Sequence, residues 1–173
     1  MITYIELDGD YVRAIGYSSI APAGCVEVSG DFQLGVAPSG HHVFNWTTQT
    51  WEDLQTIDSA KAARSLLVNS WRAKANQSYF TYLGKQIACD SLSRSDIDAV
   101  SSEMSLTDGF PAGWPGGWKC MDNTYVAITD KATWIEFLQA MTSQGTANFL
   151  HAQDLKAQIA AAITISEVEA IVW

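Results

Sequence analysis

The chain has 173 residues, of which 47% are hydrophobic and 17% are charged, a composition typical of a globular fold with one compact domain or two small ones. Its formal net charge of -9 at pH 7 argues against binding nucleic acid through phosphates, because such proteins cluster Lys and Arg to displace counterions. Apolar runs are short and the N-terminus lacks a basic start, so we expect neither membrane insertion nor a signal peptide.

The N-terminal segment predicts β-structure. Residues 3–7 and 11–15 alternate between apolar and polar side chains and flank Asp8-Gly9-Asp10. An Asp-Gly pair in this setting predicts a hairpin with a type I′ turn, whose two central residues need positive φ. Asp8 and Asp10 also suggest calcium ligands, but a calcium loop needs six or more oxygens and a downstream Glu that is missing here. We therefore expect a turn.

Further short β segments are predicted as far as residue 51. The Pro and Gly at residues 21–24 break the chain before an alternating strand, and a turn at residues 38–40 precedes the last two segments. In chain order the segments are residues 25–28, 29–31, 32–34, 41–46 and 48–51.

The histidines and cysteines do not predict a metal site or a disulfide. His41 and His42 are adjacent, and neighbouring side chains on an extended strand point to opposite faces, so both cannot bind one ion without a bulge. The third histidine, His151, lies far away in a predicted helix. The cysteines are an odd number without C-x-x-C spacing, which indicates packed thiols in an intracellular protein: Cys25, Cys89 and Cys120.

A short polar stretch at residues 52–59 is interpreted as a linker. It would separate a β-rich N-terminal domain, residues 1–56, from an α+β C-terminal domain, residues 57–173. The helix that follows is expected to begin at Asp58 or Ser59, because both residue types accept a hydrogen bond from an unpaired backbone N–H.

The first helix is predicted to bury one face. Ala63, Leu67 and Trp71 recur at four-residue steps and would share the buried side. The basic residues on and after this helix are interpreted as a solvated face: Lys61, Arg64, Arg72, Lys74 and Lys85.

A hairpin and a second helix are predicted next. Two short runs of aromatic and β-branched residues within residues 79–89 are joined by a turn in which Gly84 permits positive φ. Residues 90–93 offer caps, and Ser93 with Asp96 three residues later approximates a capping box. The helix should follow the apolar positions Ile97, Val100 and Met104.

A loop rich in Gly and Pro spans residues 105–118. Gly and Pro prevent regular structure, while three large aromatic side chains are costly to leave in water. Two interpretations stay open: the rings fold back onto the core, or they form a docking surface, since Trp and Tyr dominate interface hot spots. The docking interpretation makes Phe110, Trp114 and Trp118 partner-contact residues. It is lost if Trp114→Ala unfolds the isolated protein instead of weakening partner binding.

The next segment predicts a second hairpin. Residues 118–120 and 125–128 flank an Asp-Asn pair that tolerates the left-handed conformation. Together with the first hairpin it could form one antiparallel sheet of about four strands.

Three helices are predicted to close the chain. Thr129 or Asp130 would cap the first, which would end near Gly145. Asn148 would cap the second, and the pair Ser166 and Glu169 would form a capping box for the third. The predicted fold class is therefore α+β, with a small β-rich N-terminal domain followed by a mixed helix and antiparallel-hairpin domain closed by C-terminal helices.

Short motifs are scattered through the second half of the chain. They are Arg64, Phe80-x-Tyr82-x-Gly84-Lys85-x-Ile87-x-x-Asp90, Ile97 on a Ser-capped helix, Trp118, Asp122-Asn123 and the segment 155–171. In this order they resemble a domain of uncharacterised function in tail proteins of tailed bacteriophages, a domain associated with tail-fibre assembly. The short β segments that end at Trp46 and Trp51 are similar to the N-terminal part of phage tail-fibre assembly proteins. The resemblance implies no catalytic residues.

No residue pattern indicates an active site or a cofactor. The chain lacks a G-x-S-x-G elbow, a phosphate-binding Gly loop and an H-E-x-x-H motif, and its carboxylates fall mainly in turns and caps. Paired carboxylates for glycoside hydrolysis stay open, because the two partners need not be near in the chain. We expect a protein that is not an enzyme.

The resemblance implies a non-enzymatic phage tail protein that binds the tail fibre or other tail or baseplate proteins. It would be located in the virion tail, or in the host cytoplasm during assembly. A permanent subunit and a transient assembly factor would use the same kind of surface, so this choice stays open. The alternative is a glycan-binding module for a host receptor, because the chain has seven Trp and aromatic rings stack on sugars.

Overall fold

A computed structural model describes residues 1–29, 32 and 34–173. The predicted α+β class is confirmed: short strands come first, and helices alternate with two hairpins afterwards. The predicted segments 29–31 and 32–34 include residues 30, 31 and 33, which lie outside the described part of the chain. The chain forms two compact units, Met1–Ser59 and Ala60–Trp173, which are described separately below.

The strands are β1 Ile2–Asp8, β2 Tyr11–Ser18, β3 Val26–Val28, β4 His42–Asn45, β5 Thr50–Asp53, β6 Tyr79–Tyr82, β7 Lys85–Ala88, β8 Gly117–Lys119 and β9 Tyr125–Ala127. The helices are α1 Ile57–Asn76, α2 Ser91–Thr107, α3 Lys131–Ala161 and α4 Ile165–Ala170.

The N-terminal unit is built on one antiparallel sheet with strand order β3-β1-β2-β4-β5. The register pairs Ile5 with Ile15, and Ile5 is fully buried. The predicted hairpin at Asp8-Gly9-Asp10 is present, but only Gly9 has positive φ, at 61°. Positive φ at the first central residue alone belongs to a type II′ turn, so the predicted type I′ geometry is wrong.

The segment interpreted as a linker is structured at both ends. Strand β5 reaches Asp53 and α1 begins at Ile57. Thr56 precedes the helix and exchanges hydrogen bonds with Ser59: the Ser59 N–H donates to Thr56 Oγ1 at 3.1 Å, and the Thr56 N–H donates to Ser59 Oγ at 3.0 Å. Thr56 therefore performs the capping that we predicted for Asp58 or Ser59, because its hydroxyl is placed to satisfy the first turn.

Of the predicted buried face of α1, only Trp71 packs against the core, where it is half-buried. Ala63 and Leu67 are exposed, and Ala60 and Val68 are buried instead. Both sets recur at helical spacing, and the packed set is the one that faces α3, where Val68 joins a cluster with Ala152, Leu155 and Ile159.

Two basic residues of α1, which we interpreted as part of a solvated face, form hydrogen bonds with other helices. Lys61 Nζ donates to the Ala160 carbonyl at 2.8 Å, and Arg64 Nη2 donates to the Glu169 carbonyl at 2.9 Å. Both carbonyls belong to last turns of helices, α3 and α4. Cations there satisfy unpaired carbonyls and oppose the helix dipole.

The two predicted hairpins of the C-terminal unit are confirmed. Leu83 and Gly84 both have positive φ, at 49° and 74°, as a type I′ turn requires. The predicted four-stranded sheet is wrong, because β6–β7 and β8–β9 form separate two-stranded sheets. Their tips are joined instead: the Met121 N–H donates to the Gln86 carbonyl at 2.9 Å.

The N-cap of α2 lies three residues before Ser93, the residue at which the predicted capping box begins. Asp90 is the N-cap, and its carboxylate accepts from the Ser93 N–H at 2.9 Å, so Ser93 occupies the N3 position. This hydrogen bond is the main reason why the pKa of Asp90 lies below its usual range. The predicted apolar positions Ile97 and Met104 are buried.

One continuous helix replaces the first two predicted C-terminal helices. Asp130 caps it as expected, but α3 runs on past Gly145 to Ala161. Asn148 lies in its middle and is buried, so it caps nothing. The last helix begins after Thr164, which forms a capping box with Glu167, two residues before the predicted one. The unit is therefore closed by two helices.

Helix α3 supplies side chains to two hydrophobic clusters. Its first half contributes Trp134 and Phe137 to a cluster with both hairpins and α2, and its second half packs against α1. Each fully buried aromatic or aliphatic side chain stabilises the fold by roughly 1.5–3 kcal/mol. Among the described residues, no helix combines the length and apolarity needed to cross a membrane.

Candidate functional site

The loop between α2 and β8 is held by a helix cap and an ion pair. Asp108 ends α2 with positive φ, 56°, and its N–H donates to the Met104 carbonyl. Its carboxylate pairs with Lys131 at the start of α3, and this hydrogen bond lowers the pKa of Asp108. Gly113 and Gly116 provide the positive φ values, 82° and 78°, that turn the loop back towards β8. The loop therefore has a defined path.

Two rings of the loop stack face to face. The centroids of Phe110 and Trp114 are 4.6 Å apart with an interplanar angle of 4°. Both rings meet Trp134 of α3 edge-on, at 6.1 and 5.9 Å. Edge-to-face and offset contacts of this kind stabilise by about 0.5–1.5 kcal/mol each beyond the area that they bury.

Trp118 extends the same cluster from β8. Its ring lies 5.8 Å from Trp134 and 5.5 Å from Phe137, both of which are buried. Phe110, Trp114 and Trp118 are themselves half-buried. We call these three residues the aromatic surface. The structure shows the first of the two interpretations of the loop, in which its rings pack on the core, and it leaves part of each ring accessible.

Two indole N–H groups of the cluster, those of Trp114 and Trp134, are satisfied internally. Trp114 Nε1 donates to the Ile128 carbonyl at 2.9 Å, and Trp134 Nε1 donates to Ser101 Oγ at 3.3 Å. The first of these fixes the loop to Ile128, the residue that follows β9, so the orientation of Trp114 is set by the fold. The aromatic surface therefore offers ring area, and it has little freedom to lose on binding.

A cleft of about 510 Å³ lies beside the aromatic surface. Trp114 and Trp118 line it, together with Pro115 and parts of β8. Its polar lining comes from four different elements: Ser93 and Asp96 of α2, Lys119 of β8, Asn123 of the hairpin turn and Tyr125 of β9.

A comparison with known sequence families identifies the C-terminal unit. A family described as "Domain of unknown function (DUF4376)" matches residues 59–172, more than half of the chain. The chain belongs to the DUF4376 family. Neither the curated proteins nor the solved structures give a match.

The matched DUF4376 segment contains the whole site. It begins in the first turn of α1 and includes both hydrophobic clusters, the aromatic surface and the cleft. The sequence placed Phe110, Trp114 and Trp118 together because they are close in the chain. It missed the polar residues of the cleft, because Asp96, Lys119 and Tyr125 are too far apart in the chain for spacing to indicate that they meet.

The thiols of this DUF4376 unit are packed in its core. Cys89 and Cys120 are buried and unbonded, and burial raises the pKa of the Cys89 thiol. Within the described residues, no group of three His, Cys, Asp or Glu side chains is placed to hold a metal ion. Binding by ring packing and hydrogen bonds is the chemistry that the site offers.

Proposed function

We propose that this DUF4376 protein is a non-enzymatic tail protein of a tailed bacteriophage that binds another tail protein, with the tail fibre as first candidate. The observation that carries the proposal is the stacked pair of Phe110 and Trp114, held half-exposed beside Trp118. The resemblance of residues 60–173 to a phage tail domain supports the choice of partner.

Fixed aromatic rings suit a protein-binding surface. Partner contacts with large rings often dominate binding energy, and immobilising a flexible side chain costs about 0.5–1.5 kcal/mol. The Trp114 hydrogen bond to Ile128 and the ring stack remove most of that cost before the partner arrives. The net charge of -9 also favours a partner with a basic face and disfavours nucleic acid.

The first experiment asks where the protein is found. Quantitative mass spectrometry of intact particles, released by cells that carry this gene, would count copies of the chain against the tail-tube protein. A fixed ratio makes it a permanent tail subunit. Absence from particles, together with a complex with the tail fibre in infected cells, makes it an assembly factor in the host cytoplasm. The proposal is refuted if the chain is absent from particles and forms no complex with the tail fibre in infected cells.

The second experiment tests the aromatic surface without disturbing the core. Ala112 is exposed at the loop tip between Phe110 and Trp114, so Ala112→Arg places a long charged side chain beside the rings. We expect at least a tenfold loss of affinity for the purified tail fibre and an unchanged melting temperature. The matched control is Ala157→Arg, at an exposed position near the other end of α3. Equal affinities for both variants would move the binding surface elsewhere.

A further inference from the structure

We propose that the cleft beside β8 also binds a neutral carbohydrate, through the accessible parts of the Trp114 and Trp118 rings and the polar groups of its lining. This inference goes beyond the proposed binding of a tail protein. It rests on the composition of the lining, on the polar groups that the fold leaves unused and on the rigidity of the walls.

The cleft combines ring area with hydrogen-bonding groups. Trp114 and Trp118 provide apolar surface, and Tyr125, which is 64% exposed, provides a third ring. A pyranose has an apolar face of C–H groups and a rim of hydroxyls. Small-molecule sites of this type pair aromatic walls with a few polar groups that fix orientation. A cleft of about 510 Å³ is within the usual range for such sites.

The polar groups of the lining are not used by the fold. Among the described residues, no side chain pairs with the Asp96 carboxylate, the Lys119 ammonium, the Asn123 amide or the Tyr125 hydroxyl. Together they offer both donors and acceptors, as sugar hydroxyls require. Ser93 differs, because its hydroxyl donates to Asp90 Oδ2 at 3.0 Å, so its oxygen serves as an acceptor.

The charges of the lining favour a neutral ligand. One ammonium, on Lys119, and one carboxylate, on Asp96, balance each other. A phosphate or an acidic sugar would gain from Lys119 but would face the Asp96 carboxylate, and phosphate sites normally collect several cations or backbone N–H groups. An uncharged polyol is not repelled by the Asp96 carboxylate and does not need several cations.

The cleft walls are fixed before a ligand arrives. The β8–β9 turn is tied down by the ion pair of Lys85 with Asp122 at 2.7 Å, and by the hydrogen bond from the Met121 N–H to the Gln86 carbonyl. The opposite wall is the first turn of α2, which the Asp90 carboxylate caps. Fixed walls lower the ordering cost of a weak ligand.

The test is an NMR titration of the ¹⁵N-labelled full-length protein with a panel of neutral mono- and oligosaccharides. We expect saturable shifts of the Trp114 and Trp118 indole N–H signals with at least one neutral sugar. Asp96→Asn and Asn123→Ala should each weaken that binding by about tenfold. The first replaces a charged acceptor of a sugar hydroxyl by a weaker neutral one, and the second removes the amide altogether. Asp98→Asn, at an exposed α2 position outside the cleft lining, is the matched control and should bind normally.

Four results would overturn the proposal. The first three are no shift with any neutral sugar, shifts with only phosphorylated or acidic sugars, and shifts with only members of a random peptide library. The fourth is binding that survives both cleft substitutions. Trp114 and Trp118 belong to both proposed surfaces, so the variants that separate the two proposals lie outside these rings. Ala112 does not line the cleft, so Ala112→Arg should lose the tail fibre and keep the sugar, whereas Asp96→Asn should do the reverse.

Discussion

Asn148, in the middle of α3, donates a hydrogen bond from Nδ2 to Oδ1 of Asn76, the last residue of α1, at 2.9 Å. Gln144 Nε2 donates in turn to Asn148 Oδ1 at 3.2 Å. Asn148 is buried, so this pair fixes how the end of α1 meets α3. A buried amide without its acceptor is costly, which makes the pair a sensitive point of the DUF4376 unit.

Asn76→Ala should destabilise the protein by about 1–3 kcal/mol, because the buried Asn148 amide loses its acceptor. Urea unfolding of the full chain, followed by circular dichroism at 222 nm, reports on the helices. Asn69→Ala, at an exposed position of the same helix, is the control and should change the free energy of unfolding little. Equal losses in the two variants would contradict the role of the pair.

Gly145→Ala should stabilise the protein by about 0.5–1 kcal/mol. Gly145 lies inside α3, and a Cβ added there meets nothing within 4 Å. Alanine therefore gains helix propensity without a clash. The thermal midpoint measures the effect, and a decrease would show that α3 is less regular at this point than the structure indicates.

Gly117→Ala should have the opposite sign, with a loss of about 1–3 kcal/mol. A Cβ at Gly117 would lie 2.4 Å from the carbonyl oxygen of Val126, its diagonal neighbour on β9. Strand β8 would have to move away from β9 and carry Trp118 with it. The thermal midpoint measures this effect as well. An unchanged midpoint would mean that the close approach of β8 to β9 at Gly117 is not needed for stability.

Trp114→Phe should cost about 1–3 kcal/mol although it keeps an aromatic ring. The substitution removes the N–H that donates to the carbonyl of Ile128, a fully buried residue. Trp173→Phe is the control, since this indole lies near the chain end and stacks edge-on with His151. If urea midpoints fall equally in both variants, the hydrogen bond does not fix the loop.

Acid should weaken the contact between the two hairpin tips. The Lys85 ammonium, the Thr124 hydroxyl and the Thr124 N–H all donate to the Asp122 carboxylate, and they hold the pKa of this carboxyl far below its usual range. Its pKa is lower in the folded state, so the stabilisation is fully present above the unfolded value of about 4 and is lost as the pH falls through the folded pKa.

The measurement compares urea unfolding of the wild type and Asp122→Asn between pH 7 and pH 2. The stability difference between them should be largest near neutral pH and should shrink below about pH 4. Asp98→Asn, on the exposed side of α2, is the control. A difference between wild type and Asp122→Asn that does not change with pH would contradict the assigned cause.

Turns were the most predictable part of the fold. Gly9, Gly84 and Asn123 have positive φ at the tips of the three predicted hairpins, because few other residue types adopt this conformation easily. Caps were predicted in part. Asp90 and Asp130, both among the predicted candidates, are the N-caps of α2 and α3. The capping boxes predicted at Ser93 and Ser166 do not form, and Thr164 caps α4.

Long-range packing decided where sequence reasoning failed. The local sequence around Gly145 and Asn148 predicts a helix end and a cap. Tertiary contacts on both sides of these residues keep α3 continuous instead, and Asn148 forms its hydrogen bond with a residue of α1. Likewise, Leu67 fits an apolar stripe as well as Val68 does, and only the position of α3 selects Val68. The cleft was not predictable, because its residues meet only when two hairpins and α2 are assembled.

The continuity of α3 has a consequence for how this unit unfolds. One helix carries Trp134 and Phe137 into the first cluster and Leu155 and Ile159 into the second, so neither cluster is complete without its half of the helix. Melting of one cluster therefore frays the backbone that supports the other. The slowest amide exchange should be shared by both halves of α3, as in a single cooperative foldon.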